Sequence, residues 1–445
     1  MSRQPESTAG TPDGRALDRE MLALAVPAFA ALVSEPLLLA ADSAIVGHLG
    51  TDQLAGLGVA ANVLGVLTGL SVFLAYGTTG TVARRLGAGD RPGALAGGID
   101  GMVLALLLGA VLALALELLL PTVIGWYGVA PAVAEQAERY LRIAGYGLPS
   151  VLLLLASTGV LRGLQDTRTP LAVAVSANLV NVGLNLLLVY GLDLGIAGSA
   201  TGTLIAQTAA ALVLAAVVVR GARRARIAVR FDPLGVLTAA RTGAWLVLRT
   251  AWLQTAITLT TLTAAGFGAV ALASHQVSTS LWTLLAFALD AIAIAAQAII
   301  GRQLGAGRTA VVRRMTRRMI GWGVGAGVVF GLALLLTRPL YAPLFSPDPG
   351  VRALLAQVVV VLAVTAPVAG VVYVLDGVLI GAGDGRYLAF AGACALAAYL
   401  PLVLLVRHLD AGLVWLWVGY AGFMVARMIT LVLRVRTTGW MRTGR

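Results

Sequence analysis

Glu35, Asp42, Asp100, Glu117, Asp290 and Asp376 are carboxylates set in stretches of otherwise apolar sequence. An ionised side chain at the centre of a bilayer costs at least ~2.5 to 3.5 kcal/mol, so each needs a physical reason to be there. Asp42 has the strongest claim to a function. It follows Glu35 by seven residues, about two helical turns, which sets both carboxylates on one face of a shared helix. Pro27 and Pro36 interrupt that helix's hydrogen-bond ladder and give it places to bend. Further along, Asn178, Asn181 and Asn185 recur at i, i+3 and i+7, a polar stripe on an apolar helix. Such a stripe is able to solvate the carboxylate of Asp42 together with a proton or Na+, the metal set being Asp42, Asn181 and Asn185. A carboxylate taken out of water favours its neutral form, and a proton bound there cancels the negative charge that would hold a cationic ligand. The competing reading is structural: asparagines in membrane helices also serve as interhelical glue worth ~0.6 kcal/mol each.

A second group is Asp290, Asp376 and Arg249, the last a cation deep in an apolar segment. These residues suit either a buried ion pair or, with Glu35, the lining of a substrate cleft. Asp100 and Glu117 lie close to segment ends, where a carboxylate reaches water. Cys394 has no partner for a disulfide, and His48, His275 and His408 lack ligand spacing, so neither a cofactor nor a thiolate metal centre is expected.

Composition says what must position these groups. Of 445 residues, 59% are hydrophobic and 12% charged, with mean hydropathy +0.90. Soluble chains carry about 25% charged residues, so this is an integral membrane protein. Apolar segments fall near 17–47, 52–84, 93–120, 132–161, 170–191 and 195–219, then near 234–265, 270–301, 315–337, 351–380, 387–406 and 411–433. Twelve transmembrane helices are expected, several long enough to tilt or kink. Every basic residue is an arginine, and the formal net charge is +12. Arg139, Arg142, Arg338, Arg352 and Arg407 fall at one set of segment ends, Arg249 and Arg427 inside segments, and all the others, Arg162 included, at the opposite ends. Positive-inside bias then puts both termini in the cytoplasm and makes a multi-pass protein of the cell inner membrane. Residues 1–16, rich in Ser, Thr, Pro and Gly with no Ala-x-Ala site, read as a disordered cytoplasmic tail.

Shifting the chain by 218 residues superposes Leu86–Gly89 on Leu304–Gly307 without a gap. The same shift carries Arg84 onto Arg302, Pro121 onto Pro339, Pro131 onto Pro349, Pro149 onto Pro367 and Gly159 onto Gly377. It also carries Gly163, Asp166 and Arg168 onto Gly381, Asp384 and Arg386. Since each copy holds six segments, an even number, the two halves insert with the same orientation about a pseudo-two-fold axis along the membrane normal. The expected organisation is an N-lobe over 17–219, a basic cytoplasmic linker over 220–233, a C-lobe over 234–436 and a tail over 437–445. Two all-α lobes of six helices flanking a cleft are the architecture of an alternating-access transporter.

The motifs resemble those of the multidrug and toxic compound extrusion (MATE) family, in its DinF branch. Residues 41–50, ADSAIVGHLG, are similar to the family's V-D-T-x-x-V-G-H-L-G pattern. The loop from Gly80 to Asp90 resembles its R-x-L-G-A-G-D loop, and residues 160–168, VLRGLQDTR, its V-L-R-G-x-x-D-T-R loop. Residues 181–185 and 195–201, with Asp290–Ala293 and Asp376–Ala382, match further family segments. Gln297 and Asn185 stand where relatives often carry acidic residues, and the span-seven acid of other branches is not evident. The resemblance implies ion or proton coupling at Asp42, Asn178, Asn181 and Asn185, and adds Thr203 by its match to a family position near that site. It implies antiport of small amphipathic or cationic organic compounds against H+ or Na+.

Rival readings are a flippase for a lipid-linked substrate, with Arg249 and Arg427 facing the cleft, a major-facilitator transporter, and an intramembrane enzyme, for which no motif is present. The run Arg313, Arg314, Arg317 and Arg318 suits anionic membrane lipid rather than nucleic acid. Gly321, Gly323, Gly325, Gly327 and Gly331 suit close helix packing rather than a phosphate loop. A monomer is expected.

Overall fold

The computed structural model describes residues 14–226 and 232–444. The chain runs through α1 (Gly14–Gly47), α2 (Thr51–Ser71), α3 (Phe73–Gly87), α4 (Arg91–Gly125), α5 (Pro131–Gly145), α6 (Leu148–Gly163) and α7 (Arg168–Leu186). A short π-helix, Leu187–Gly191, extends α7 and is followed by α8 (Gly195–Arg224). The second half comprises α9 (Pro233–Gly266), α10 (Ala269–Gly305), α11 (Thr309–Phe345), α12 (Pro349–Gly381), α13 (Gly385–His408) and α14 (Gly412–Arg436). Helices α2 and α3 join in one span, Thr51–Gly87, and α5 and α6 form a span bent by 53°.

The architecture is the expected one of twelve spans in two lobes, α1 to α8 and α9 to α14. Helix α9 alone falls short of the long apolar run that the other spans contain, for it carries Arg241, Arg249 and many threonines. It is still fit to cross lipid because its hydroxyls turn back onto its own carbonyls: Thr238 donates to Leu234 O at 2.7 Å, Thr250 to Leu246 O at 2.9 Å and Thr260 to Ala256 O at 2.7 Å. The tail expected over 1–16 and the linker expected over 220–233 lie partly outside the described residues. What is described of them is mostly helical, α1 starting at Gly14 and α8 running to Arg224. Trp440, in the segment expected as a tail, is buried, and Arg84 donates to the backbone oxygens of Arg442 and Gly444 at 3.0 and 3.3 Å.

The 218-residue repeat reappears as packing. A Cβ placed on Gly159 would lie 2.4 Å from Ala75 O, and one on its repeat mate Gly377 would lie 2.3 Å from Ala293 O, itself the mate of Ala75. Gly109 approaches Pro149 and Gly327 approaches Pro367 in the same manner, at 2.4 and 2.7 Å to Cα. Each lobe therefore uses glycine at matched positions to bring helix backbones together, as membrane helices require when apolar contact alone gives no driving force. In the glycine run of α11, Gly323, Gly327 and Gly331 pack on α12 in this way, whereas Gly321 and Gly325 face open space.

The repeat also builds the seam between lobes. Helices α3 and α10 cross at their arginine-rich ends, where a Cβ on Gly87 would lie 1.9 Å from Arg302 O and one on Gly305 1.9 Å from Arg84 O. Arg84 reinforces the seam by donating to Ala382 O at 2.7 Å. Helix α1 straddles it. Its first half is held by the second lobe: Asp18 binds Arg318 and Trp322, Glu20 binds Arg302, and Ala28 packs on Ala291 and Ile294. Its second half is held by α7 and the π-helix, with Asn178 donating to Ser34 O at 2.9 Å and Tyr190 to Ile45 O at 2.5 Å. Pro27 and Pro36 lie inside this helix, between its outermost attachments to the two lobes.

Overpacking of this kind typically costs about 1–3 kcal/mol. Gly87→Ala or Gly305→Ala is expected to open the seam. In a Cys394→Ala background, a reporter introduced as Ala83→Cys, fully buried here, should label with maleimide roughly tenfold faster when Gly87→Ala is added. Gly58→Ala, where no atom lies within 4 Å, should leave it shielded.

Candidate functional site

Helices α1, α7 and α8 bring the first set of residues together. Asp42 is 4% exposed, Asn181 1% and Asn185 fully buried. The side-chain amide of Asn185 donates to Asp42 Oδ1 at 2.7 Å and to Asn181 Oδ1 at 3.0 Å. Asn181 in turn donates to Thr203 Oγ1 at 3.0 Å. The i, i+4 spacing of Asn181 and Asn185 puts both on the face of α7 that meets α8 and α1. Gly202 makes that approach possible, since a Cβ there would lie 2.1 Å from Asn185 Oδ1. The π-helix begins two residues after Asn185, and π-turns often occur at functional sites. Asn178, the third member of the stripe, turns instead to the Ser34 carbonyl and holds α1 to α7.

Tyr140 of α5 completes this group. It is buried, beside Thr203 and within electrostatic reach of Asp42. Nothing in the sequence near Tyr140 singles it out; only the fold of α5 onto α8 delivers it. Glu35 shares a helix face with Asp42 by spacing but not its environment. It is exposed and makes no hydrogen bond or ion pair among the described residues.

The second lobe holds the other set. Asp376 on α12 is bound by two guanidiniums, Arg249 of α9 at 2.7 Å and Arg427 of α14. Asp290 of α10 does not pair with Arg249. It accepts instead from the hydroxyl of Tyr76, at 3.2 Å, across the lobe boundary from α3. Gln297 donates to the Tyr76 carbonyl, and Gln165 donates to Ala298 O at 3.1 Å, so this boundary is laced by side chains from both lobes. Arg162, in the last turn of α6, is half-buried and lies within electrostatic reach of Asp290 and Tyr76. Arg249 and Arg427, which the flippase reading turns to the cleft, both turn onto Asp376. Asp290, Asp376, Arg249, Tyr76 and Gln297 line a space of about 10 Å³, too small for an organic molecule. Among the described residues no group of three or more His, Cys, Asp or Glu is placed to hold a metal ion.

A two-lobed bundle of membrane-spanning helices with polar groups buried inside it is an architecture used by membrane transporters, and comparison with known proteins identifies the family. The MatE family model matches residues 27–187 and 247–405; the chain belongs to this family, the MATE transporters. Among curated relatives it is 29% identical to Protein DETOXIFICATION 44, chloroplastic, of Arabidopsis thaliana, over 96% of this chain and 82% of that protein. It is 32% identical to the DNA damage-inducible protein F of Escherichia coli over 65% of this chain and 64% of that one. Solved folds agree: the Vibrio cholerae MATE transporter VcmN in the bent form superposes with TM-score 0.87 at 23% identity, covering 95% of this chain and 98% of that. An outward-facing multidrug resistance MATE transporter superposes with TM-score 0.84 at 21% identity, covering 98% and 100%.

Removing one partner of a buried ion cluster leaves uncompensated charge, at a cost of about 3–5 kcal/mol. Asp376→Asn is therefore expected to destabilise the protein strongly in a thermal-unfolding assay in detergent. Replacing all three charges together, as Asp376→Leu, Arg249→Met and Arg427→Leu, should restore much of the lost stability.

Proposed function

We propose that the protein exports small amphipathic, often cationic, organic compounds in exchange for H+, with Na+ the alternative, as its two lobes open the cleft to each side of the membrane in turn. The observation that carries this reading is the buried Asp42 carboxylate facing the amide of Asn185. A carboxylate at that depth is costly while charged and cheap once protonated. Binding a proton there changes the charge presented to a cationic substrate by one unit, which is the exchange an antiporter needs. Asn185 turns its NH2 group, not its carbonyl oxygen, to Asp42. An amide donor stabilises the charged form of the carboxylate, the form that would hold a cation until a proton displaces it. Asn181, itself bonded to Thr203, then fixes the amide, and Asn178 ties α1 to α7 beside them.

Helix α1 is suited to carry the signal, because it is bound to the first lobe by its second half and to the second lobe by its first. Glu35, exposed on the same helix, serves as cleft lining, and the ion cluster around Asp376 holds α9, α12 and α14 as one body. Names of relatives agree with the substrate class: the matching NorM proteins of Thermotoga maritima and Pseudomonas aeruginosa are described as probable multidrug resistance proteins. The arginine-rich face is cytoplasmic in this reading, the protein works as a monomer in the inner membrane, no cofactor takes part, and no bond of the substrate is made or broken. One charge crossing ~100 mV supplies about 2.3 kcal/mol. Exchange of one proton for one monovalent cation moves no net charge, so it draws on the pH gradient alone.

In proteoliposomes with an imposed pH gradient, Asp42→Asn should abolish gradient-driven export of an organic cation while leaving thermal stability near that of the parent. Undiminished export by the variant would rule Asp42 out. Export driven by a Na+ gradient and not by a pH gradient would assign the ion as Na+.

A further inference from the structure

At the arginine-rich end of the bundle, the start of α1 and the first turns of α11 enclose a groove of about 730 Å³. Gly14 and Leu17 form its wall on α1, and Arg313, Arg314, Arg317 and Arg318 its wall on α11. All four arginines are exposed, while Val312, Met315, Thr316 and Met319 on the opposite face of α11 are buried. Arg318 binds Asp18. Arg313, Arg314 and Arg317 make no hydrogen bond or ion pair among the described residues.

This arrangement stores repulsion. Arg313 with Arg317 and Arg314 with Arg318 are like-charged i, i+4 pairs, which are destabilising on a helix surface, and among the described residues no carboxylate pairs with Arg313, Arg314 or Arg317. We propose that the groove binds the phosphate-bearing headgroup of an anionic phospholipid, its phosphate on Arg313, Arg314 and Arg317 and its acyl chains along α1 and α11. Depth and the surface below point to lipid. Trp322, one turn deeper than Arg318, is partly exposed and donates its indole N–H to Asp18 at 2.9 Å, the posture of an aromatic residue at a membrane interface. Beneath it α1 exposes Leu22 and Val26 and α11 exposes Val328 and Val329, an apolar surface for acyl chains. Arginines near an anionic leaflet each add affinity, and with Arg318 the groove presents a cluster of four, enough to be read as lipid recognition. The bound phosphate would neutralise the cluster and so strengthen the contact by which Arg318 holds α1 to the second lobe. The binding itself does not depend on the transport reading.

The test is titration of the full-length protein in neutral detergent with phosphatidylglycerol or phosphatidylcholine, read by native mass spectrometry and by Tm. The parent should bind phosphatidylglycerol at least ~10-fold more tightly than the triple variant Arg313→Gln, Arg314→Gln, Arg317→Gln. Its Tm should rise with phosphatidylglycerol and not with phosphatidylcholine. Arg407→Gln, at the other face, should behave as the parent, which separates a site from bulk charge. Equal binding of the two lipids, or equal phosphatidylglycerol binding by parent and triple variant, overturns the proposal. So does an equal rise in Tm with inorganic phosphate, which would make the ligand a free anion. Phosphatidylglycerol binding seen only after deletion of residues 2–12 overturns it as well, because that segment, which carries Glu6, would then be the occupant.

Discussion

A carboxylate carried into a bilayer must be given donors by the helices around it, and both lobes of this protein are organised by that requirement. Without a partner the charged group costs several kcal/mol, and no water is at hand to supply the missing bonds. The two lobes answer differently. In the first, the neutral amide of Asn185 donates to Asp42, with Asn181 and Thr203 behind it, so the carboxylate is hydrogen-bonded without being neutralised. In the second, two guanidiniums close on Asp376 and compensate it. A group facing neutral donors keeps its charge uncompensated, whereas one clamped between two cations is committed to holding helices together. The same residue type thus serves opposite ends, decided by the charge of its neighbours.

The remaining structure keeps these neighbours in register. Glycines repeated at an interval of 218 residues allow helices to approach within each lobe and again where α3 meets α10. Because the contact at Gly87 and that at Gly305 are mates, the seam is self-complementary about the pseudo-two-fold axis, as in an isologous interface. Helix α1 departs from this symmetry. It is divided between lobes, and the Asp18–Arg318 and Glu20–Arg302 pairs at one end are as much a part of its setting as Asn185 at the other.

Apolar run length, arginine placement and the 218-residue repeat are local or periodic properties, and they determined the twelve spans and the two-lobe plan by themselves. They did so because lipid admits few solutions: backbone polar groups must be satisfied inside each segment, so an apolar run of sufficient length has to be helical. The polar stripe of α7 was legible for the same reason, spacing along one helix being enough to put Asn181 and Asn185 on one face. What faces that stripe was decided only by tertiary structure. Asn178 and Asn185 differ by two turns and look alike in sequence, yet one binds a backbone carbonyl and the other Asp42. Tyr140, Tyr76, Arg162 and Arg427 entered their clusters from other helices, far along the chain. Glu35 and Asp42, equivalent by spacing, were separated by what packs on each. Burial and pairing are sums over neighbours drawn from the whole fold, and no periodicity in a single segment encodes them.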